Sequence, residues 1–152
     1  MGSSEQMKNV LTKQLKAFSA GDWKAYKAVM KDDAIYEEEA TGRRVQGVDA
    51  IQQAVEPWKR AFPDLNATIK EIIGSGDALV VELEWTGTHR GPLVGPFGNV
   101  PPTGKQGKLA AVQVVRFDGD RIREIRHYFD LLSMLRQMGI APQMGAPAPS
   151  QP

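Results

Sequence analysis

The segment Leu79-Val80-Val81-Glu82-Leu83-Glu84-Trp85-Thr86-Gly87-Thr88, residues 79–88, decides the fold. Leu79, Val81, Leu83, Trp85 and Gly87 fall on one side of an extended chain; Glu82, Glu84, Thr86 and Thr88 fall on the other. A period of two held over ten residues marks a strand with one dry and one wet face. Working outward, Leu65, Ala67 and Ile69 alternate in the same way ahead of the turn Gly74-Ser75-Gly76-Asp77. Downstream, residues 108–117 and 121–129 read as two more strands joined by Asp118-Gly119-Asp120. Residues 90–106, which carry Gly95-Pro96 and Pro101-Pro102, are expected to be loop.

Upstream the period is helical. Met7, Val10, Leu11, Leu15 and Phe18 recur at helix spacing, and Ala20-Gly21 closes that element. Asp22 is placed to cap a second, short helix carrying Trp23, Tyr26 and Met30. Residues 34–37 read as a short strand, and Gly42 and Gly47 bracket a turn-rich connection. Ile51, Val55, Trp58 and Phe62 share the face of a third helix, which Pro57 should kink and Pro63-Asp64 should stop. Leu131, Leu132, Leu135 and Met138 form a short closing helix ended by Gly139. Helices first and antiparallel strands second argue an α+β domain with helices on one face of a sheet. The ordered domain is expected over residues 7–140, with residues 1–6 and the Pro/Ala-rich residues 141–152 disordered. Met1-Gly2-Ser3-Ser4 has the composition of a cloning scar and is set aside.

Composition narrows the functions. A chain of 152 residues with 41% hydrophobic content supports one core. The net charge of +1 lacks the basic surplus of a nucleic-acid binder. Zero cysteines and two histidines leave little for a metal site, so no metal and no cofactor are expected. No apolar run reaches the roughly 20 residues of a membrane span, and no signal-peptide core is present, so a cytoplasmic protein is expected.

Strand parity points to the candidate site. His89 falls with Leu83, Trp85 and Gly87; Gln113 falls with Leu109, Ala111, Val115 and Phe117; His127 falls with Ile125 and Phe129. Isolated polar groups on apolar faces are the pattern of a small-molecule pocket, although each is also compatible with a satisfied core residue. Asp130, directly before Leu131-Leu132, reads as an N-cap and is kept as a catalytic candidate. Tyr36, on either face of its short strand, is a candidate pocket phenol. Trp58, Trp85 and Phe62 are candidate walls. Asp32, Asp33, Glu37, Glu38 and Glu39 match no calcium-loop spacing and are read as a solvated hairpin. Arg116, Arg121, Arg123 and Arg126 are read as a solvated strand end.

Four segments in order, Ala61-Phe62-Pro63-Asp64-Leu65, Gly87-Thr88-His89-Arg90-Gly91-Pro92-Leu93, Pro101-Pro102-Thr103-Gly104 and Leu135-Arg136-Gln137-Met138-Gly139, resemble the SnoaL-like polyketide (ester) cyclases of the nuclear-transport-factor-two-like superfamily. The resemblance implies a cone-shaped α+β barrel, a strongly curved antiparallel sheet wrapped around about three helices. It also implies a cofactor-independent intramolecular aldol condensation, with an aspartate on the last strand as acid/base and a histidine on the preceding one. At those positions this chain carries His127 and Gln113.

The expectation is therefore an enzyme acting on a small hydrophobic carbonyl compound by proton transfer: aldol cyclisation, retro-aldol cleavage, isomerisation or hydration. His127, Gln113 and Asp130 are its catalytic candidates. His89, Tyr36, Trp85, Trp58, Phe62 and Phe129 are its substrate-binding candidates. The alternatives are a ligand-binding module with the same pocket, and an association domain. A homodimer through the outer sheet face is expected under each, with Ala110, Val112 and Val114 as an apolar stripe.

Overall fold

The computed structural model describes residues 3–95 and 98–140. Helix α1 (Ser4–Ala20) opens on Ser3, whose hydroxyl accepts from the Gln6 amide while the Gln6 side chain answers the Ser3 N–H. That reciprocal cap gives Ser3 and Ser4, set aside above, a place at the head of the helix; residues 1–2 lie outside the described residues. Helix α2 (Trp23–Ala28) is capped by Asp22, as expected. Strand β1 (Met30–Glu38) is longer than the short strand expected, and β2 (Arg43–Gln46) takes the place of the expected turn-rich connection. Helix α3 (Val48–Ala61) runs through Pro57. Strands β3 (Asn66–Ser75) and β4 (Ala78–Thr88) form a hairpin. The expected loop contains a small hairpin of β5 (Leu93–Gly95) and β6 (Gly98–Val100). Strands β7 (Gln106–Asp118) and β8 (Arg121–Phe129) follow, and α4 (Leu131–Gln137) closes the described chain. The expected tail, residues 141–152, lies outside the described residues.

Six of the strands form one sheet in the order β2-β1-β8-β7-β4-β3. The expected α+β fold, a sheet packed on helices, is present, and two of its details differ from the expectation. The sheet is open, with β2 and β3 as its edges, rather than a closed barrel. It is also mixed, because β1 runs parallel to β8 while every other pair is antiparallel. The reason is topological: β1 enters from the helical half of the chain and docks beside the last strand.

The core forms where the apolar stripe of α1 (Met7, Leu11, Leu15, Phe18) and Ile51 and Val55 of α3 meet the inward strand residues Leu79, Val81, Leu83, Val115 and Ile125. Burial of these side chains drives the assembly, at roughly 25 cal/mol per Å² removed from water.

The four segments that carry the family resemblance meet in one place, around His89. Asp64 accepts from the Thr88 amide at 2.7 Å and from its hydroxyl at 2.9 Å. The Ala61 carbonyl accepts from the Arg90 and Gly91 amides, each at 3.0 Å. Gly91 is required there, because a Cβ would collide with the backbone carbonyl of Arg60. Phe62 stacks on the His89 ring, and Thr103 donates its amide to His89 Nδ1 at 3.2 Å. The Thr103 hydroxyl faces the Met138 sulfur. Gln137 then pins α4 to the sheet. Register between β7 and β8 begins at Ala111, so Lys108 lies beyond the reach of β8. The Gln137 carboxamide takes the strand's place, accepting from the Lys108 amide at 2.7 Å and donating to its carbonyl at 2.8 Å.

Candidate active site

A cavity of about 90 Å³ lies between the helices and the inner face of the sheet. Phe18, Val55, Trp58, Phe62, Leu65 and Phe129 make most of its wall apolar, and Met134 and Met138 border it beside α4. Gln14, Tyr26, Tyr36, Trp85, Gln113 and His127 bring polar atoms to it.

Strand pairing sets the sheet side of the site. Gln113 of β7 and His127 of β8 are direct partners, and His127 is also the partner of Glu38 on β1. Both Gln113 and His127 are buried and line the cavity. Tyr36 and Glu38 share the inward parity of Ala34, so the pocket phenol candidate does point inward.

Glu38 corrects the reading of the acidic run as a solvated hairpin. Its side chain is 1% exposed. The carboxylate accepts from Thr41 Oγ1 at 2.6 Å and Arg43 Nη2 at 2.8 Å through Oε1, and from Tyr36 Oη at 2.8 Å and Trp58 Nε1 at 3.0 Å through Oε2. Four donors, one of them cationic, replace the water that this anion gave up.

The carboxylate also dictates the proton positions behind the cavity wall. It can only accept, so the Tyr36 hydroxyl donates to it. The Tyr36 oxygen lies 3.1 Å from His127 Nδ1 and must therefore accept from Nδ1–H. His127 Nε2 is left as an acceptor, and the Trp85 indole N–H donates to it at 3.2 Å. One chain results: Trp85 N–H to His127 Nε2, His127 Nδ1–H to Tyr36, Tyr36 O–H to Glu38. Burial pulls the imidazole down to about 4, against the opposing pull of Glu38. Burial, reinforced by Glu38, holds the Tyr36 phenol well above its ordinary value. At neutral pH the chain therefore carries a neutral imidazole with an unprotonated Nε2.

Gln14 and Gln113 differ from these groups. Each is buried, and the side-chain oxygen of each has no hydrogen-bond partner. Gln14 reaches the site from α1, where it sits seven residues after Met7 on the same stripe.

Two sequence candidates fall elsewhere. His89 is fully buried in the cluster built by the family segments and does not line the cavity, because β4 has passed the cavity by that point and Phe62 fills the space. Asp130 accepts from the Ser133 amide at 3.0 Å as the N-cap of α4 and likewise lies off the cavity. The arginine cluster stays outside too: Arg116 and Arg123 pair with Asp77, and Arg116 and Arg126 with Glu124. Among the described residues, no three His, Asp or Glu side chains are arranged to hold a metal ion.

A sequence profile of SnoaL-like polyketide cyclases matches residues 8–138. The chain belongs to the SnoaL-like polyketide cyclase family. Solved structures agree on the fold. A protein of Jannaschia sp. CCS1, assigned as a SnoaL-like polyketide cyclase, superposes with a TM-score of 0.80 at 20% identity, covering 91% of this chain and 94% of that one. IdmH of Streptomyces antibioticus, assigned as a polyketide cyclase, gives 0.75 at 24% identity over 89% and 99%. A protein of Acidithiobacillus ferrooxidans with the same assignment gives 0.74 at 28% identity over 93% and 100%. No curated protein matches the chain. Among the described residues, no helix of this SnoaL-like chain is long and apolar enough to cross a membrane.

Glu38 and Gln14 escaped the sequence reading, yet each left a signal. Extending the residue 34–37 strand by one position puts Glu38 on the Tyr36 face, and helix spacing from Met7 puts Gln14 on the buried stripe of α1.

Proposed function

We propose that this SnoaL-like protein is an enzyme that enolises a small apolar carbonyl compound without a cofactor, the class of step that opens aldol cyclisation and isomerisation. The observation that carries the reading is the hydrogen-bonded chain from Trp85 through His127 and Tyr36 to buried Glu38, set in the wall of an apolar cavity.

In this reading the substrate carbonyl draws the indole N–H away from His127, exposing the Nε2 lone pair. Nε2 removes a proton from the carbon next to the carbonyl. The C–H electron pair becomes the enolate, whose oxygen accepts from Trp85. The imidazolium formed keeps Nδ1–H on Tyr36 and is stabilised by the Glu38 carboxylate behind it. In an aldol step the enolate carbon then attacks a second carbonyl, and His127 returns its proton to the alkoxide. Gln113, opposite His127, holds the substrate.

The test follows α-hydrogen exchange into purified protein in D₂O by NMR, using methyl ketones and β-keto esters. Exchange well above the buffer rate is expected. Ketones that bind yet exchange no faster than in buffer would sink the reading and leave a binding module.

We further propose that two copies pair through the outer sheet face. Ile73, Val80 and Val114 form a continuous apolar row across β3, β4 and β7, and Tyr128, the β8 partner of Val112 two positions along β7, is 39% exposed. Sedimentation equilibrium is expected to show a dimer that Val114→Lys converts to monomer. A wild-type monomer at tens of micromolar would refute the pairing.

A further inference from the structure

The polar complement of the cavity narrows what can occupy it. Gln14 and Gln113 are 2% and 5% exposed, and both line the cavity. Gln14 comes from the helical layer and Gln113 from the sheet, so a ligand between the layers meets a carboxamide on each side. The oxygen of each lacks a partner. A buried carbonyl left without a hydrogen bond destabilises the fold. Neither amide is placed by the backbone around it, and neither belongs to the chain that ends on Glu38. The cost is offset when a ligand brings hydrogen-bonding groups.

Charge decides what kind. The buried carboxylate of Glu38 stands behind Tyr36 and His127. Among the described residues lining the cavity the cation is Lys108, and its ammonium pairs with Glu84 at 3.6 Å on the outer side of the sheet. An anionic ligand would thus be desolvated beside an anion with no cation to meet it. A hydroxyl fits both amides: it donates to a carboxamide oxygen and accepts from a carboxamide nitrogen.

We propose that Gln14 and Gln113 form a hydroxyl-binding pair that selects neutral, hydroxylated carbonyl compounds and excludes carboxylates. This rests on the cavity being the substrate site.

The experiment measures binding, by tryptophan fluorescence, of acetophenone, 3′,5′-dihydroxyacetophenone and 4-acetylbenzoate to the wild type, Gln14→Leu and Gln113→Leu. The dihydroxy ketone is expected to bind the wild type at least about tenfold tighter than acetophenone, with 4-acetylbenzoate weakest, and each leucine variant should remove most of the tenfold preference. Thermal melting adds a second readout. Without ligand Gln113→Leu should melt above the wild type, since a buried amide with an unpartnered oxygen has been replaced by an apolar group, whereas Gln14→Leu also strips the buried Tyr26 phenol of its hydrogen bond and should not. Equal binding of the two neutral ketones, tighter binding of the carboxylate, or lower melting of Gln113→Leu together with an intact preference would overturn the proposal while leaving the cavity as a ketone site. Failure of all three compounds to bind would remove the cavity reading and the proposal with it.

Discussion

The His127→Gln protein is expected to fold, to bind ketone, and to lose about 10²–10⁴ in kcat for α-proton exchange, the usual contribution of a positioned base. The substitution is chosen for its hydrogen bonds. A carboxamide can still accept from Trp85 and donate toward Tyr36, the two partners His127 has now. What it lacks is a basic nitrogen. KM should change little, because the walls remain. The pH behaviour separates this role from a structural one. With the imidazole held down to about 4 by burial, Nε2 is unprotonated throughout the neutral range, so wild-type exchange should be flat from about pH 5.5 to 8 rather than falling near the ordinary histidine value of about 6.5. The stability of the fold follows the same titration. Between about 6.5 and 4 the unfolded chain binds a proton at this position and the folded chain does not. Stability therefore falls as pH drops through that window, by on the order of 3 kcal/mol in all, and levels off below it. Urea unfolding should show this extra loss in the wild type and not in the variant. Undiminished exchange by His127→Gln would eliminate His127 as the base.

The second large effect concerns Arg43. Arg43→Met is expected to destabilise the fold by about 3 kcal/mol, because it leaves the Glu38 carboxylate buried without its cation. The figure sits at the low end of the range for breaking such a pair, since the Arg43 side chain is 25% exposed and water can partly replace it. The remaining donors, Thr41, Tyr36 and Trp58, are neutral. Adding Glu38→Gln to Arg43→Met removes the stranded charge and should recover most of the loss, a coupling that a double-mutant cycle in urea measures directly. A single Arg43→Met cost below about 0.5 kcal/mol, typical of an exposed pair, would show that Glu38 does not depend on it.

Much of the fold was legible because it rests on periodicity. The alternation of residues 79–88 located β4, and β8 occupies the residues expected of it. What escaped was set by contacts distant in sequence. The first half of β1 reads Lys31-Asp32-Asp33, polar enough to pass for loop, and its place beside β8 is invisible to any local pattern. Strand β2 spans four residues and exists as the partner of β1. Of the candidate site, parity brought Gln113 and His127 to the cavity face and left the face of Tyr36 open, which its place in β1 decides. It erred on His89 because parity fixes a side of the sheet and not a position along it. Glu38 was misread because a carboxylate on a strand ordinarily faces water, and the donors that keep it dry come from Thr41, Arg43, Tyr36 and Trp58, whose convergence no spacing reveals. The four segments that carry the resemblance identified the family correctly, and in the fold they build the His89 cluster that holds the hairpin and α4 in place.

The parallel seam between β1 and β8 has a consequence for biogenesis. Tyr36 and its histidine partner are 91 positions apart. On the ribosome the acid-bearing strand therefore leaves the exit tunnel long before the strand that completes its neighbourhood, and until then Glu38 has no His127 wall to sit behind. Closure of so wide a loop is slow relative to local hairpins and helices. Helices α1 to α3 and strand β1 all precede β8 in the chain, so the contact between Tyr36 and His127 can form only once nearly the whole domain has been made.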